Sequence, residues 1–176
     1  MQVSSNVRRH KMHPTTYHQL GRFVVTFQHV EHAVTEIILL LTKGDDEATK
    51  ILIHDLGYAQ RLRVVSSMFT RFVDLRTDSS EDVKTDFYAL VVELERLGQR
   101  RNELVHSRYV NWLQLGGAQG LLRTKQRRSN KSPATELTEE GLHSESFEED
   151  FARLAKVLII LENVRLNVLD LLYPDQ

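Results

Sequence analysis

Apolar residues recur every three or four positions along four long stretches of this 176-residue chain. In the first stretch, residues 15–42, they are Tyr17, Leu20, Val24, Phe27, Val34, Ile38 and Leu41. This spacing places the side chains on one face of an α-helix, because the helix has about 3.6 residues per turn. The pattern therefore predicts a long amphipathic helix that buries this face against other parts of the chain.

The other three long stretches and one short one also predict helices. Residues 46–56 predict a short helix that ends at Gly57, and residues 59–76 and 80–105 predict two longer helices. A last helix is predicted to begin at Ser146, with the capping-box residue Glu149 three positions later, and to end near Tyr173. We therefore predict an all-α fold, a helical bundle of four long helices and one short helix.

A small β-hairpin insert is predicted after the fourth of the five helices, over residues 108–128. There, two short apolar runs flank a glycine-rich turn, and the first run contains aromatic and β-branched residues. Residues 129–144 are polar and contain Pro133 and Gly141, so we predict a loop, and residues 1–14 are predicted to be a flexible start. The length and the 41% hydrophobic content predict a single domain over residues 1–176.

The composition excludes several classes of site. The chain has no cysteine, which excludes disulfides, thiolate zinc sites and a thiol nucleophile and is typical of a reducing compartment. Neither the ~18 consecutive apolar residues of a membrane span nor the apolar region of a secretory signal is expected, so we predict a cytoplasmic protein without a membrane partner. No glycine-rich nucleotide loop or zinc-protease motif occurs, and we expect neither a cofactor nor a metal. The net charge of -1 disfavours indiscriminate binding to nucleic-acid phosphates.

An arginine interrupts the apolar face of the fourth helix, over residues 80–105. This face consists of Val83, Phe87, Leu90, Leu94 and Leu97, and the next position along it is Arg101. A guanidinium stays charged, so inside a fold it must meet a carboxylate, a phosphate, water or several carbonyls. Glu31 interrupts the apolar face of the first helix in the same way, between Phe27 and Val34. We therefore predict contact between Glu31 and Arg101 across the two helices, for which a buried structural salt bridge is one interpretation.

Two further polar residues follow Arg101 in the segment RNELVHS, residues 101–107. Asn102 and His106 are four residues apart and share a helix face, whereas Arg101 and His106 are about 140° apart around the helix axis. Histidine titrates near neutral pH and arginine holds anions, so the two residues could serve as an acid–base group and an anion stabiliser. A chance occurrence of both residues on one helix is the simpler interpretation of the chemistry alone.

The segment RNELVHS resembles the R-x(4)-H motif of HEPN domains, in which the residue after the arginine is typically polar, as Asn102 is here. The resemblance extends to an all-α architecture with the motif late in a long helix, to a first helix that carries a glutamate, in FQHVEHAV, and to a long final helix. It implies a homodimer in which the arginine and histidine of both subunits meet at a shared groove and cleave RNA without a metal.

The resemblance also implies a role for each residue. Arg101 would bind the scissile phosphate, and His106 would move protons while the RNA 2′-OH attacks the phosphorus. Asn102 would orient His106 or contact the phosphate, and Glu31 would hold Arg101. HEPN domains include toxins and phage-defence nucleases, so an antitoxin protein is a further expected partner. They also include non-catalytic modules that bind a nucleotide or a protein, and the motif leaves both interpretations open.

Residues in and after the predicted hairpin are further candidates for contact with RNA. The basic ones are Arg123, Lys125, Arg127 and Arg128. They could follow an RNA backbone, or they could form a solvated loop. Tyr109 and Trp112 could stack on a base, although packing of the hairpin onto the helices is favoured. On the first helix, His29, His32 and Glu36 share a face, and a solvated polar surface is favoured over a metal site there.

The last helix carries more apolar residues than its main stripe needs. Those outside the stripe are Val157, Ile160, Val164 and Leu171. A two-fold interface between two copies of the chain would bury such a surplus. We therefore predict a homodimer from the apolar surplus as well as from the resemblance.

Overall fold

The computed structural model of the protein describes residues 14–76, 81–113, 119–128 and 135–174. In this part of the chain four helices come first, α1 (Pro14–Thr42), α2 (Asp46–His54), α3 (Tyr58–Asp74) and α4 (Glu81–Val105). They are followed by the strands β1 (Arg108–Leu113), β2 (Gln119–Arg128) and β3 (Thr135–Leu142). A single 3₁₀ turn, η1 (Ser144–Phe147), then leads into the last helix, α5 (Glu148–Leu172).

The helices begin and end within a few residues of their predicted positions. Helices α1, α4 and α5 have 29, 25 and 25 residues, α3 has 17 and α2 has 9. The chain is thus mostly helical, and the prediction of four long helices and one short helix is met approximately. The short α2 starts at a side-chain cap, because the Asp45 carboxylate accepts hydrogen bonds from the backbone N–H groups of Glu47 and Ala48.

The prediction of a loop over residues 129–144 is wrong for residues 135–142, which are half of that range. Residues 135–142 form β3, which pairs antiparallel with β2, so the predicted hairpin is part of a three-stranded sheet in the order β1-β2-β3. The fold is therefore not purely α. The register places Arg123 opposite Glu140, and the ion pair between these two side chains helps to explain why a polar segment forms a strand. Residues 1–13, 114–118 and 129–134, and with them most of the predicted flexible start, lie outside the described residues.

Helix α4 runs antiparallel to both α3 and α5. Its contacts are Tyr58–Leu94, Phe69–Phe87 and Asp74–Lys84 with α3, and Asp150–Arg100 and Arg153–Glu93 with α5. In both sets, a later position on the partner helix meets an earlier position on α4. The end of α4 therefore lies beside the start of α5, and its beginning lies beside the ends of α3 and α5.

One apolar core joins the helices to the sheet. Its most deeply buried large side chains are Phe23, Phe27, Ile37, Ile38, Leu62, Leu94, Leu97, Leu104, Leu121, Leu142, Phe147 and Leu154. Each such side chain stabilises the fold by roughly 1.5–3 kcal/mol relative to exposure in water. Because Leu121 belongs to β2 and Leu142 to β3, the sheet shares the core of the helices rather than standing apart from it.

Helix α1 is long and apolar enough, by length and composition, to cross a membrane. The expectation that the chain has no stretch of this kind is therefore wrong for α1 by these two criteria. The side of α1 formed by Phe23, Phe27, Val30 and Val34 is buried against other parts of the same chain. Core packing thus provides a second reason for the apolar character of this helix.

Tyr58, the first residue of α3, fills the gap between α1 and α4. Its hydroxyl donates a hydrogen bond to the Leu94 carbonyl at 3.2 Å, and its ring meets the Phe27 ring edge-on at 5.0 Å. The ring lies directly on the α4 backbone at Gly98, where an added Cβ would come within 2.6 Å of it. Burial raises the pKa of the Tyr58 phenol well above its ordinary value, and the charge of Glu31 adds to this. Gly98 is therefore required by close approach of the two elements.

We expect Gly98→Ala to lower the free energy of unfolding by about 1–3 kcal/mol, the usual cost of overpacking. The Tyr58 ring cannot simply move away, because its hydroxyl and its Phe27 contact hold it in place. Urea unfolding followed by circular dichroism measures the change. Gly21→Ala is the matched control, since a Cβ there meets nothing within 4 Å and alanine favours a helix by up to ~1 kcal/mol. Equal effects of the two substitutions would contradict the packing argument.

Candidate functional site

Arg101, Asn102 and His106 lie at the end of α4. Asn102 and His106 are exposed and Arg101 is half-buried. The Arg101 Nη1 donates a hydrogen bond to the Asn102 Oδ1 at 3.1 Å, and the His106 backbone N–H donates to the Asn102 carbonyl at 3.0 Å. Within the described residues, the His106 imidazole has no hydrogen-bond or ion-pair partner. The structure thus brings Arg101 and Asn102 into contact and leaves the imidazole open to solvent.

The predicted salt bridge between Glu31 and Arg101 is wrong. Arg101 does turn towards α1, but its guanidinium carbon lies over Phe27, 6.0 Å from the ring centre, at the limit of a cation–π contact. Phe27 is one helical turn before Glu31. Among the described residues, Glu31 and Arg101 form no ion pair with each other. Glu31 lies instead near the buried Tyr58, whose pKa its charge helps to raise. The packing of α1 against α4 therefore places the Phe27 ring, and not the Glu31 carboxylate, beside Arg101.

Arg100 is the arginine of this helix that carries a buried ion pair. Its side chain is 18% exposed, and its Nε donates to the Asp150 Oδ2 at 3.0 Å. Its Nη1 donates to the Glu140 Oε1, also at 3.0 Å. Burial alone would lower the pKa of Arg100, but the ion pairs with Asp150 and Glu140 outweigh it and raise that pKa. Arg100 thereby connects α4 with both β3 and α5.

Arg123 of β2 completes this buried ion network. Its side chain is 7% exposed, and its Nη2 lies 2.7 Å from the Glu140 Oε2. Its Nη1 lies 3.6 Å from the Glu103 Oε2 and donates to the Ser107 Oγ at 3.5 Å. Its Nε is buried without a hydrogen-bond partner. The expectation that Arg123 contacts RNA is therefore wrong, because a buried guanidinium held by two carboxylates cannot reach a phosphate backbone.

The other basic residues predicted to bind RNA have different surroundings. Lys125 Nζ lies 3.9 Å from the Glu103 Oε1, and the lysine side chain is 40% exposed. Arg127 and Arg128 belong to β2, where Arg127 pairs with Glu136, but their side chains lie outside the described residues. Lys125 is therefore accessible to solvent. Contact of Arg127 and Arg128 with RNA remains a prediction.

Other residues at the end of α4, on the side away from Asn102 and His106, attach this helix end to the sheet. Glu103 pairs with Arg123, and the Ser107 hydroxyl donates to the Glu103 carbonyl at 2.5 Å. The Leu104 carbonyl accepts a hydrogen bond from the Tyr109 hydroxyl of β1 at 2.6 Å. At about 100° per residue, positions 100, 103, 104 and 107 fall within an arc of about 100°. One side of the helix end is thus bound to the sheet, and the other side carries the exposed polar residues.

Tyr109 and Trp112 have packing roles, as the favoured interpretation predicted. Burial raises the pKa of Tyr109, whose hydroxyl is bound to the backbone of α4. Trp112 packs over Gly141, where an added Cβ would come within 2.7 Å of the indole, and its ring centre lies 5.3 Å from that of His143. The two rings therefore fasten the sheet to the helices and to its own third strand.

The histidines of α1 remain a surface feature. His32 Nε2 lies 3.8 Å from the Glu36 Oε1, and both side chains are exposed. In the part of the chain that the structure describes, no group of three or more His, Asp or Glu side chains is arranged to hold a metal ion.

An apolar groove of about 740 Å³ opens at the other end of α4, between α3, α4 and α5. Its apolar lining includes Phe69, Phe72, Leu75, Val83, Phe87, Leu90, Ile160, Val164 and Leu171. Three of the apolar residues predicted to be surplus on the last helix thus line this groove, whereas Val157 is 1% exposed in the core. Eighteen positions separate Val83 from Arg101, which is about 27 Å along the helix. The groove and the R-x(4)-H residues therefore lie at opposite ends of α4.

The open side of the α4 end offers several groups to an anion. A guanidinium has five N–H donors, and Asn102 accepts from one of those of Arg101. His106 adds an exposed imidazole to the same side of the helix end. Comparisons with protein-family models, curated proteins and solved structures found no match to this chain. The function of this edge must therefore be argued from its own chemistry.

We expect Arg100→Met to lower the free energy of unfolding by roughly 3–5 kcal/mol, because it leaves the buried Asp150 without its partner. Urea unfolding at neutral pH measures this change. Arg165→Met is the matched control, since Arg165 pairs at 2.6 Å with Glu162, which is 53% exposed. Loss of such an exposed pair should leave stability nearly unchanged. Similar results for both variants would contradict the account of a buried network.

Proposed function

We propose that this chain is a HEPN-like, metal-independent endoribonuclease whose site is the open edge of α4 formed by Arg101, Asn102 and His106. The observation that carries the proposal is the division of the helix end into two sides. One side is tied to the sheet, while the other presents a guanidinium, an amide and an imidazole to solvent. The proposal includes a single HEPN-like helical bundle with the sheet as an insert, a cytoplasmic location, and a toxin or defence role with an antitoxin protein as partner.

The proposed chemistry is transfer of the phosphorus from the 5′-oxygen to the 2′-oxygen of RNA. Arg101 binds the non-bridging oxygens of the scissile phosphate, where its planar fork matches two oxygens at once. A neutral imidazole takes the proton of the 2′-OH as the 2′-oxygen bonds to phosphorus, and a protonated imidazole gives a proton to the departing 5′-oxygen. The products are a 2′,3′-cyclic phosphate and a 5′-hydroxyl. Each chain supplies one His106, so two copies together provide both the acid and the base.

A second copy of the chain is proposed to dock at the same end of α4. Val105 lies between Asn102 and His106 in the sequence and is 43% exposed, so an apolar side chain stands next to the polar ones. An interface that covers Val105 would bring the two sites together around a two-fold axis. The apolar groove cannot serve this purpose, because the α4 residues that line it, from Val83 to Leu90, lie about 16–27 Å from Arg101 along the helix.

The alternative is a non-catalytic HEPN-like module that binds a nucleotide or a protein partner at the same edge. One observation favours it: Glu31, the residue expected to hold Arg101, makes no ion pair with it in the described chain. Anion binding needs only the guanidinium and neighbouring donors, whereas catalysis also needs precise orientation of both groups. The two proposals share their residues and differ in whether a bond is broken.

The ribonuclease proposal predicts cleavage of single-stranded RNA in the presence of EDTA, with 2′,3′-cyclic phosphate ends detected by mass spectrometry. His106→Ala should lower the rate by about 10²–10⁴-fold, the usual contribution of a positioned proton-transfer group. Arg101→Lys should also abolish most activity, since an ammonium lacks the planar fork. Arg76→Lys is the matched control, because Arg76 also lies over an aromatic ring, that of Phe72 at 3.5 Å, but lines the apolar groove at the opposite end of α4.

Two other outcomes decide against cleavage. If wild-type protein leaves varied RNAs intact but binds a nucleotide, and His106→Ala removes that binding, the non-catalytic module is the correct function. If neither cleavage nor binding occurs and His106→Ala only lowers the melting temperature, the R-x(4)-H residues are structural and both proposals fail.

The composite site predicts that the protein is a dimer in solution, with about twice the chain mass of 20.4 kDa by light scattering at micromolar concentration. Val105→Asp should give a monomer, because it places a charge in the proposed interface. Val83→Asp should remain a dimer, although Val83 is 44% exposed on the same helix, because it lines the distant groove. A monomeric wild type, or dissociation by Val83→Asp alone, would exclude this interface.

A further inference from the structure

The polypeptide changes from helix to strand within a few residues of His106. Helix α4 ends at Val105 and β1 begins at Arg108, so His106 lies at the junction of the two elements. Its backbone N–H is bound to the Asn102 carbonyl, but the last carbonyls of a helix have no helical partner and need others. Two of these carbonyls accept hydrogen bonds from side-chain hydroxyls: that of Glu103 from Ser107, and that of Leu104 from Tyr109.

Arg123 contacts two residues close to this junction, Glu103 and Ser107. Its Nη1 donates to the Ser107 Oγ at 3.5 Å and lies 3.6 Å from the Glu103 Oε2. Glu103 is one turn before His106 and Ser107 is the residue after it, so the guanidinium reaches the chain on both sides of the histidine. A contiguous set of contacts therefore leads from the middle of the sheet to the residue that carries the imidazole.

Arg123 is itself fixed in position by the sheet. It belongs to the central strand, opposite Tyr109 on one side and Glu140 on the other. Its second arm, Nη2, is held at 2.7 Å by Glu140, and the side chain is 7% exposed. Nη2 is bound within the sheet and Nη1 contacts the helix end. Because the guanidinium is planar and rigid, the position of the sheet determines the position of the junction.

We propose that Arg123 is a positioning residue for His106, acting through Glu103 and Ser107 to hold the open edge of α4 in one orientation. Its effect on cleavage rests on the proposed function, whereas its effect on the orientation of the imidazole does not. A lysine at this position keeps the charge near Glu140 but has a single ammonium, so it cannot also span the distance to Ser107. The substitution Arg123→Lys therefore separates positioning from charge.

Two pairs of variants test the proposal. Arg123→Lys is compared with Arg153→Lys, because Arg153 also pairs with a glutamate of α4, Glu93 at 2.6 Å, ten positions before Glu103. Ser107→Ala is compared with Thr85→Ala. Both hydroxyls donate to the carbonyl four residues earlier on α4, but only that of Ser107 also meets Arg123. If Arg123→Lys does not fold, the Ser107→Ala comparison decides alone.

The first measurement is the NMR spectrum of the His106 ring in the full-length protein without RNA, assigned with His106→Gln. Arg123→Lys and Ser107→Ala should shift or broaden the His106 ring signals, while Arg153→Lys and Thr85→Ala should leave them unchanged. The second measurement is RNA cleavage, for which kcat should fall about tenfold to hundredfold with KM nearly unchanged, because misplacement by about 1 Å has effects of this size.

The two measurements separate the positioning inference from the proposed function. If the ring signals respond as expected but wild-type protein does not cleave RNA, Arg123 is a positioning residue and the ribonuclease proposal fails. If wild-type protein cleaves RNA, but both Arg123→Lys and Ser107→Ala leave the ring signals and kcat unchanged, the positioning inference fails and the ribonuclease proposal stands.

Discussion

The buried Arg123 and the largely buried Arg100 share the carboxylate of Glu140, and the packing of the sheet on the helices depends on this contact. A guanidinium cannot lose its charge to escape burial, so each arginine needs a carboxylate at a fixed distance. Glu140 can meet both only if β3 pairs with β2 in the observed register, since a slip of one residue would turn it to the other face. Asp150 adds the start of α5 to the same network. Such a network contributes more to a unique arrangement than to net stability, because desolvation offsets much of the attraction.

The helices could be predicted from the sequence because their apolar periodicity is a local property, whereas the third strand could not. The stretch that forms β3 has polar residues at most positions, and it forms a strand because it pairs with β2, where Arg123 lies opposite Glu140. Only a comparison of the two segments, a basic stretch followed at a short distance by an acidic one, could have indicated this pairing. The same non-local pairing explains why the sequence favours RNA as a partner of Arg123, since its ion-pair partners Glu103 and Glu140 are distant in sequence.

The choice between Arg100 and Arg101 shows a similar limit. Consecutive residues of a helix differ by about 100°, so both arginines border the buried face, and helix geometry alone cannot say which one is paired inside. The partners decide: β3 and α5 bring carboxylates to the side of Arg100, while α1 brings the Phe27 ring to the side of Arg101. Arg101 is consequently held less tightly than a salt bridge to Glu31 would hold it. The sequence predicts that Arg101, Asn102 and His106 lie at one end of a helix, but it does not predict which side chains they contact.

A helix C-terminus is an unusual place for an anion site, because its unpaired carbonyls carry partial negative charge. At the end of α4 some of this charge is offset, since hydroxyls of Ser107 and Tyr109 donate to two of the last carbonyls on the side that faces the sheet. On the open side, the same partial charge favours the cation Arg101, which can then present its remaining donors outwards. The sheet thus affects the site in two ways, by holding the backbone at the junction and by reducing the negative potential that an incoming phosphate would meet. In the proposed function, the sheet therefore contributes to the exposed edge of α4 as well as to the fold.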